Sequence, residues 1–208
     1  YKVSMQAYSI FSITTFFPKK TLLPIDQYEI DLVKRCQNRD LKAMEEIVKK
    51  YETQVYNIAY GILGSLEDAQ DITQDVFVSV WEKIGQFRFK SKFSTWLYRI
   101  AKNLSLNEKS RRTRRKTDAV EIDDSQAWVP VDHQSPEDDI LAFEQQQILH
   151  RALEQLKESH RTILVLREME ELSYEALSAV LGCSIGRVKS RLYEARMQLR
   201  KILKRENQ

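Results

Sequence analysis

The sequence predicts an all-α fold in two small helical domains, and three observations carry that prediction. Sustained apolar–polar alternation of period two, the mark of a half-buried strand, is absent. Apolar residues recur instead at three- and four-residue intervals over long stretches. The four prolines, Pro18, Pro24, Pro130 and Pro136, leave 25–129 and 137–208 uninterrupted, so helices can run there without a broken hydrogen-bond ladder.

Charge placement divides the chain further. Over 208 residues there are 33 Lys and Arg against 30 Asp and Glu, a net charge of only +3, so partner clues lie in where the charges sit. From Thr117 to Gln147 there is no Lys or Arg, while Asp118, Glu121, Asp123, Asp124, Asp138 and Asp139 are all acidic. With Pro130, Pro136 and few apolar residues, the first part of that stretch reads as an extended tether. The expected organisation is a flexible N-terminal extension over 1–25, a four-helix domain over 26–116, a flexible acidic linker over 117–138 and a helix-turn-helix domain over 139–208.

Several classes fall away at this stage. Cys36 and Cys183 are isolated, which gives neither a disulfide framework nor a zinc spacing and suits a reducing cytoplasm. No apolar run approaches the ~20 residues that span a bilayer. The apolar stretch Tyr8–Phe17 (YSIFSITTFF) lacks the basic start and cleavage site of a signal peptide.

In the first domain a short helix is expected over Asp26–Cys36 and a longer one over Leu41–Leu63, with Ile47, Tyr51, Val55, Ile58 and Ile62 along one side. Gly64 ends it, and Ser65 with Glu67 and Asp68 starts the next. That third helix, to about Ile84, buries Ala69, Ile72, Val76, Val80 and Ile84, flanked by Phe77 and Trp81. Its other arc holds Asp71, Gln74, Asp75 and Glu82 with Val78 among them. A valine exposed amid carboxylates suggests a docking surface, with a solvated acidic face as the ordinary alternative. The loop Gly85–Lys92 (GQFRFKSK) alternates aromatic and basic residues: Phe87, Arg88, Phe89, Lys90 and Lys92. A fourth helix, Ser94–Arg112, has Phe93, Leu97, Ile100 and Leu104 as its buried stripe. Trp96, Arg99 and Asn103 flank that stripe, and Arg111, Arg112, Arg114, Arg115 and Lys116 close it. Cations among aromatics fit single-stranded nucleic acid, since rings stack bases while cations track phosphates. Phe93 reads as core; Phe87 and Phe89 do not, because a loop has few core positions.

The second domain opens with a helix over 139–157 and another over Ser159–Glu168. The stretch Leu172–Arg200 (LSYEALSAVLGCSIGRVKSRLYEARMQLR) then forms a helix-turn-helix. Ser173 caps a first helix through Leu181, Gly182 ends it in the left-handed conformation, and Ser184 caps a second. On the second, Val188, Leu192, Ala195 and Leu199 make one buried stripe. The opposite arc carries Arg187, Ser190, Arg191 and Glu194. Apolar backing with short or cationic groups outside is what a helix entering the major groove needs.

Two stretches resemble one family. YETQVYNIAYGILGSLEDAQDITQDVFVSVWEKI and FSTWLYRIAKNLSLNEKSRR, within Ile47–Arg112, and LEQLKESHRTILVLREMEELSYEALSAVLGCSIGRVKSRLYEARMQLRK, within Ile148–Lys201, are similar to bacterial sigma factors of the sigma-70 family. The resemblance is to the extracytoplasmic function (ECF) subgroup, which keeps only two helical domains, sigma2 and sigma4, joined by a linker. It implies that Asp71, Gln74, Asp75, Phe77, Val78 and Trp81 bind core RNA polymerase on the clamp helices of its beta-prime subunit, with the beta flap as a further contact. It implies that Phe87, Arg88, Phe89, Lys92, Trp96, Arg99, Asn103, Arg111 and Arg112 open and read the minus-10 promoter element, a base leaving its stack for a protein pocket. Phe87 or Phe89 is the expected stacking ring, worth ~1–3 kcal/mol. Arg187, Lys189, Ser190, Arg191 and Glu194 would read the minus-35 element, Arg suiting guanine O6/N7 and Lys or Ser suiting phosphates or base edges.

Two positions depart from the family pattern. Glu194 stands where Arg is frequent, which would favour cytosine N4, and Ser178 stands where a small Ala is usual. The resemblance further implies a cytoplasmic protein with no cofactor, metal, small-molecule substrate or chemistry of its own, and an anti-sigma factor as regulator. The acidic linker would thread toward the active-site cleft and RNA exit path, its carboxylates resembling RNA phosphates until transcript expels it. Two other classes compete: a helix-turn-helix regulator acting without polymerase core, and a metal-dependent nuclease using Glu67, Asp68, Asp71 and Asp75. The first leaves the Asp71–Trp81 surface and the aromatic loop unexplained. Against the second, Asp71 and Asp75 lie one turn apart on an outer face, and His133, His150 and His160 have no ligand spacing.

Overall fold

The computed structural model describes residues 27–118, 148–149 and 151–206. Every regular element among them is helical, and the helices form two blocks. The first block holds α1 (Gln27–Gln37), α2 (Leu41–Leu63), α3 (Leu66–Lys83) and α4 (Phe93–Asp118). The second holds α5 (Glu158–Leu164), α6 (Tyr174–Leu181) and α7 (Ile185–Glu206), preceded by helical residues at 151–154.

Local chemistry sets the ends of these helices. Asp40 accepts from the backbone N–H groups of Lys42 and Ala43, at 3.0 and 3.2 Å, and so caps α2. Gly64 ends it at φ 79°, its N–H bonded to Tyr60 O at 2.8 Å. Ser65 Oγ then accepts from Asp68 N and starts α3. The expected stripe of α2 is fully inside: Ile47, Tyr51, Val55, Ile58 and Ile62 all lie in the core, against Ala69, Ile72, Val76 and Val80 of α3 and Leu97 of α4.

Three boundaries differ from expectation. Helix α4 runs to Asp118 rather than Arg112. No helix breaker intervenes, and the Ser110 and Thr113 hydroxyls fold back onto the carbonyls of Leu106 and Lys109 instead of competing with the ladder. The linker's first two residues are therefore helical; most of that segment, the extension 1–25 and the expected helical residues 139–147 lie outside the described residues. The helix expected to reach Lys157 stops near Glu154. The one expected over Ser159–Glu168 is α-helical only to Leu164, and Val165–Met169 then widens into a π turn. A single extra residue in a turn leaves the apolar spacing almost unchanged, so periodicity does not reveal it.

The blocks are not independent beads. Gly61 of α2 faces Val165, and a Cβ on Gly61 would lie 2.6 Å from Val165 Cγ2. Arg161, only 6% exposed, donates to Leu153 O at 2.7 Å, to Glu154 O, and across the blocks to Ile62 O at 3.3 Å. Lys109 of α4 donates to the same Ile62 oxygen at 2.8 Å. That carbonyl belongs to the last turn of α2, where acceptors lack intrahelical partners and the helix dipole favours cations. Lys102 of α4 reaches Val180 O of α6 at 3.3 Å. Burial pushes all three cations down from their ordinary values, Lys109 to about 8.

Candidate nucleic-acid interface

Three faces gather the residues singled out by sequence. The first is the outer side of α3. Asp71, Gln74 and Asp75 are exposed, and Val78 is 58% exposed among them. A shallow hollow beside them is lined by Asp71, Gln74, Asp75, Glu108 and Arg111. Trp81 is half-buried: Arg39 lies over its ring at 5.1 Å and donates to its carbonyl at 2.7 Å. Phe77 departs from expectation. It is 8% exposed and faces the core, because it falls on the same arc as Val76 and Val80. It lies behind the exposed residues of α3 rather than among them.

The second face is the loop after α3 and the start of α4. Ile84–Gln86 form a 3-10 turn, and Gln37 at the end of α1 staples it, its Nε2 donating to Ile84 O and Phe87 O at 3.0 and 2.9 Å. Here the expectation for the two loop rings splits. Phe87 is buried, in contact with Phe89, Phe93 and Trp96 at ring-centre distances of 4.9, 5.7 and 5.4 Å. Reading it as a free ring is thus corrected: the turn folds it inward as the floor of an aromatic cluster. Phe89 is 40% exposed on top of that floor. Its φ of 55° is costly for a bulky residue, and it holds the ring outward. Arg88, Lys90, Lys92, Arg99 and Asn103 are exposed around it, with Trp96 half-buried. Further along α4 the cations are already engaged: Arg111 pairs with Glu108 at 2.7 Å and Arg112 with Asp68.

The third face is α7. Val188, Leu192, Ala195 and Leu199 are buried, as the stripe required. Arg187, Lys189, Ser190 and Glu194 are exposed and Arg191 is half-buried. Ser184 Oγ accepts from Arg187 N at 3.4 Å, and Gly182 turns the chain at φ 66°. The unusual Ser178 has a structural use: its hydroxyl donates to Cys183 O at 2.5 Å across the turn. Tyr174 lies between two cations, Arg167 at 5.1 Å and Lys189 at 5.7 Å from its ring centre. Sequence reasoning missed Tyr193, 67% exposed next to Glu194. The signal was present, since Tyr193 lies off the buried stripe of Val188, Leu192, Ala195 and Leu199 and beside the exposed arc.

Among the described residues no group of three or more His, Cys, Asp or Glu is placed to hold a metal ion, and no helix is long and apolar enough to cross a membrane.

Comparison with known proteins separates the two blocks cleanly. Residues 47–115 match the family model for sigma-70 region 2, and residues 146–199 match that for sigma-70 region 4. The chain is 36% identical over 177 residues to the RNA polymerase sigma-H factor of Pseudomonas aeruginosa, covering 83% of this chain and 92% of that one. It is 32% identical to the ECF RNA polymerase sigma factor SigW of Bacillus subtilis, with 83% and 95% covered. It is 35% identical to the ECF RNA polymerase sigma-E factor of Escherichia coli, with 79% and 88% covered. In fold it is similar to the sigma factor RpoE of Bartonella quintana, solved in complex with the anti-sigma factor NepR, at TM-score 0.64, 24% identity and coverage of 78% and 98%. It is also similar in fold to CnrH, solved with the cytosolic domain of CnrY, at TM-score 0.63, 22% identity and coverage of 85% and 96%.

Proposed function

This chain belongs to the sigma-70 family of bacterial RNA polymerase sigma factors, in the ECF group, and from that premise we propose how its three faces divide the work. As a sigma factor it directs core polymerase to promoters and promotes DNA opening; sigma factors are non-catalytic initiation factors. In this reading α3 docks on the beta-prime clamp helices through Asp71, Gln74, Asp75 and Val78. The exposed valine carries the assignment, because an apolar side chain amid carboxylates gains from being covered while the carboxylates keep water or cations.

The loop and α4 meet the minus-10 element. Phe89, held outward over the Phe87 floor, offers the surface on which a displaced base stacks, while Arg88, Lys92 and Arg99 follow the backbone. The α7 face meets the minus-35 element through Arg187, Lys189, Ser190, Arg191 and Glu194, with Tyr193 beside them. Polymerase supplies the chemistry; this chain supplies address and strand opening, and acts in the cytoplasm. The structurally similar RpoE, solved with the anti-sigma factor NepR, supports an anti-sigma factor for this chain too. Nothing favours a helix-turn-helix regulator acting without core, which would leave the match over residues 47–115 unused.

In vitro transcription with core polymerase tests the whole reading, and permanganate footprinting tests the loop. Phe89→Ala is expected to lose ~1–3 kcal/mol of open-complex stability, seen as weaker reactivity of unpaired thymines. Unchanged opening in that variant removes Phe89 from the strand-separating role.

A further inference from the structure

The recognition helix is not the only element that bears on the minus-35 reading. His160, the third residue of α5, has a side chain 9% exposed, and it bridges two residues one turn apart on α7. Its Nδ1 lies 2.8 Å from Gln198 Oε1, and its Nε2 lies 3.6 Å from Glu194 Oε2. Glu194 itself is 62% exposed, on the arc that also carries Arg187, Ser190 and Arg191.

The proton positions on the ring follow from these partners. If Gln198 presents its oxygen, Nδ1 carries a proton, and a bare Nε2 lone pair would face a carboxylate. Turning the Gln198 amide over removes that conflict: its NH2 donates to Nδ1 and the single imidazole proton sits on Nε2. In that arrangement the Nε2 N–H faces Glu194 Oε2 across 3.6 Å, a polar contact longer than a hydrogen bond.

We propose that His160 is a positioning residue for promoter recognition: by holding one Glu194 oxygen from the protein side, it fixes the other to accept from the exocyclic amine of one base, cytosine N4, in the minus-35 element. The proposal rests on the reading that α7 lies in the major groove there. A glutamate on an exposed helix face explores many rotamers, and ordering such a side chain on binding opposes recognition. A partner that orders it beforehand lowers that cost and narrows the angle from which the carboxylate meets the base. A carboxylate accepts from cytosine N4 but meets only acceptors on guanine, so a fixed orientation becomes discrimination. Gln198, second on the imidazole, keeps the ring from turning away.

The test uses the full chain assembled with core polymerase, and a panel of promoters in which each minus-35 base pair is replaced in turn. Wild type is expected to discriminate against replacement at one pair that carries cytosine, and Glu194→Ala to flatten that preference by roughly tenfold while leaving the other pairs unchanged. His160→Leu keeps the buried volume and deletes the N–H; it is expected to flatten the same pair by about fivefold and no other. His160→Gln restores a donor and should recover part of the preference. The proposal is overturned if His160→Leu weakens all promoters alike, if its profile matches wild type, or if His160→Gln behaves as the leucine variant does. Arg191→Ala separates the two levels of the argument. Loss of affinity there, with an unchanged His160→Leu profile, sinks only the positioning role. An Arg191→Ala variant indifferent to every minus-35 change sinks the groove placement itself.

Discussion

The interior of the first block and the joint between the blocks are built from different materials. The interior is apolar and continuous: Ile47, Ile58, Ile62, Val76, Val80 and Leu97 are each nearly or wholly inaccessible and need no polar partner. The joint adds polar contacts to apolar ones such as Val165 on the bare Gly61: Lys102 and the buried Arg161 end on main-chain carbonyls across it, and Lys109 of the first block shares the Ile62 oxygen with Arg161. Apolar burial stabilises by roughly 25 cal/mol per Å² without geometric demands. A buried cation on a carbonyl must first offset its own desolvation, so its net contribution is small and depends on fit. The interior is therefore expected to hold under all working conditions, and the joint to be the place where the molecule opens.

The largest effect should come from the interior. Ile58 is 0% exposed, and Ile58→Ala deletes three carbons where α2, α3 and α4 meet, at a cost of ~2–5 kcal/mol. Denaturant unfolding should show one lower midpoint with the slope unchanged. A loss near zero would mean the interior repacks freely and is not the rigid partner in this comparison.

Gly61→Ala should cut the other way at two levels. In the last turn of α2 it favours the helix by at most about 0.5–1 kcal/mol. At the joint its Cβ would lie 2.6 and 2.9 Å from the two γ-carbons of Val165, an overlap expected to cost ~1–3 kcal/mol of docking. Labels on α3 and α7, read by energy transfer in the free chain, should move apart. The added Val165→Ala change should bring them back. The same labels test opening on promoter DNA. The minus-10 and minus-35 elements lie ~25 base pairs apart, or ~85 Å at 3.4 Å per pair. Packed helices lie only 8–10 Å apart, so α4 against α6, with α7 beside it, cannot reach both elements. Labels that stay close in a promoter complex would break the division of labour proposed for the two blocks.

The interior was legible in the sequence and the joint was not, for a physical reason. Ile47, Tyr51, Val55, Ile58 and Ile62 announce themselves because apolar side chains at helical spacing have one stable destination. The caps at Ser65 and Ser173 and the turns at Gly64 and Gly182 are local chemistry, readable from a few neighbours. Arg161 and Lys109 look like any surface cations in a linear string; only tertiary structure brings both to Ile62 O. The candidate site divides the same way. Val78 and the α7 arc were readable from periodicity. Phe87 and Phe89, two residues apart in one loop, could not be told apart until Gln37 was seen pinning the turn that buries one and exposes the other. His160 gave no signal at all, because its meaning lies in Glu194 and Gln198, more than thirty residues away.

The smallest effect is the most diagnostic of the joint's chemistry. Burial lowers Lys109 from 10.5 to about 8. Below about pH 8 the side chain is charged in both folded and unfolded chains, and the full desolvation cost is present. Between about 8 and 10.5 the unfolded chain still binds a proton that the folded one has released. Stability gained from this group therefore rises with pH across that window and is complete above it. Cys36 acts oppositely: burial raises its thiol from 9.0 to about 11, so the folded state resists ionisation and stability falls as pH rises. The buried Tyr60 and Tyr98 hydroxyls, also raised, add to that fall. The informative quantity is thus the difference between wild type and Lys109→Met, in which Cys36 and the tyrosines cancel. That difference should grow in favour of wild type from pH 8 to 10.5. At pH 7 the methionine variant should be as stable or slightly more so, since it removes a cation that burial opposes. A difference curve flat across the window would mean that Lys109 remains hydrated, and that the joint is held by Arg161, Lys102 and the Gly61–Val165 contact without it.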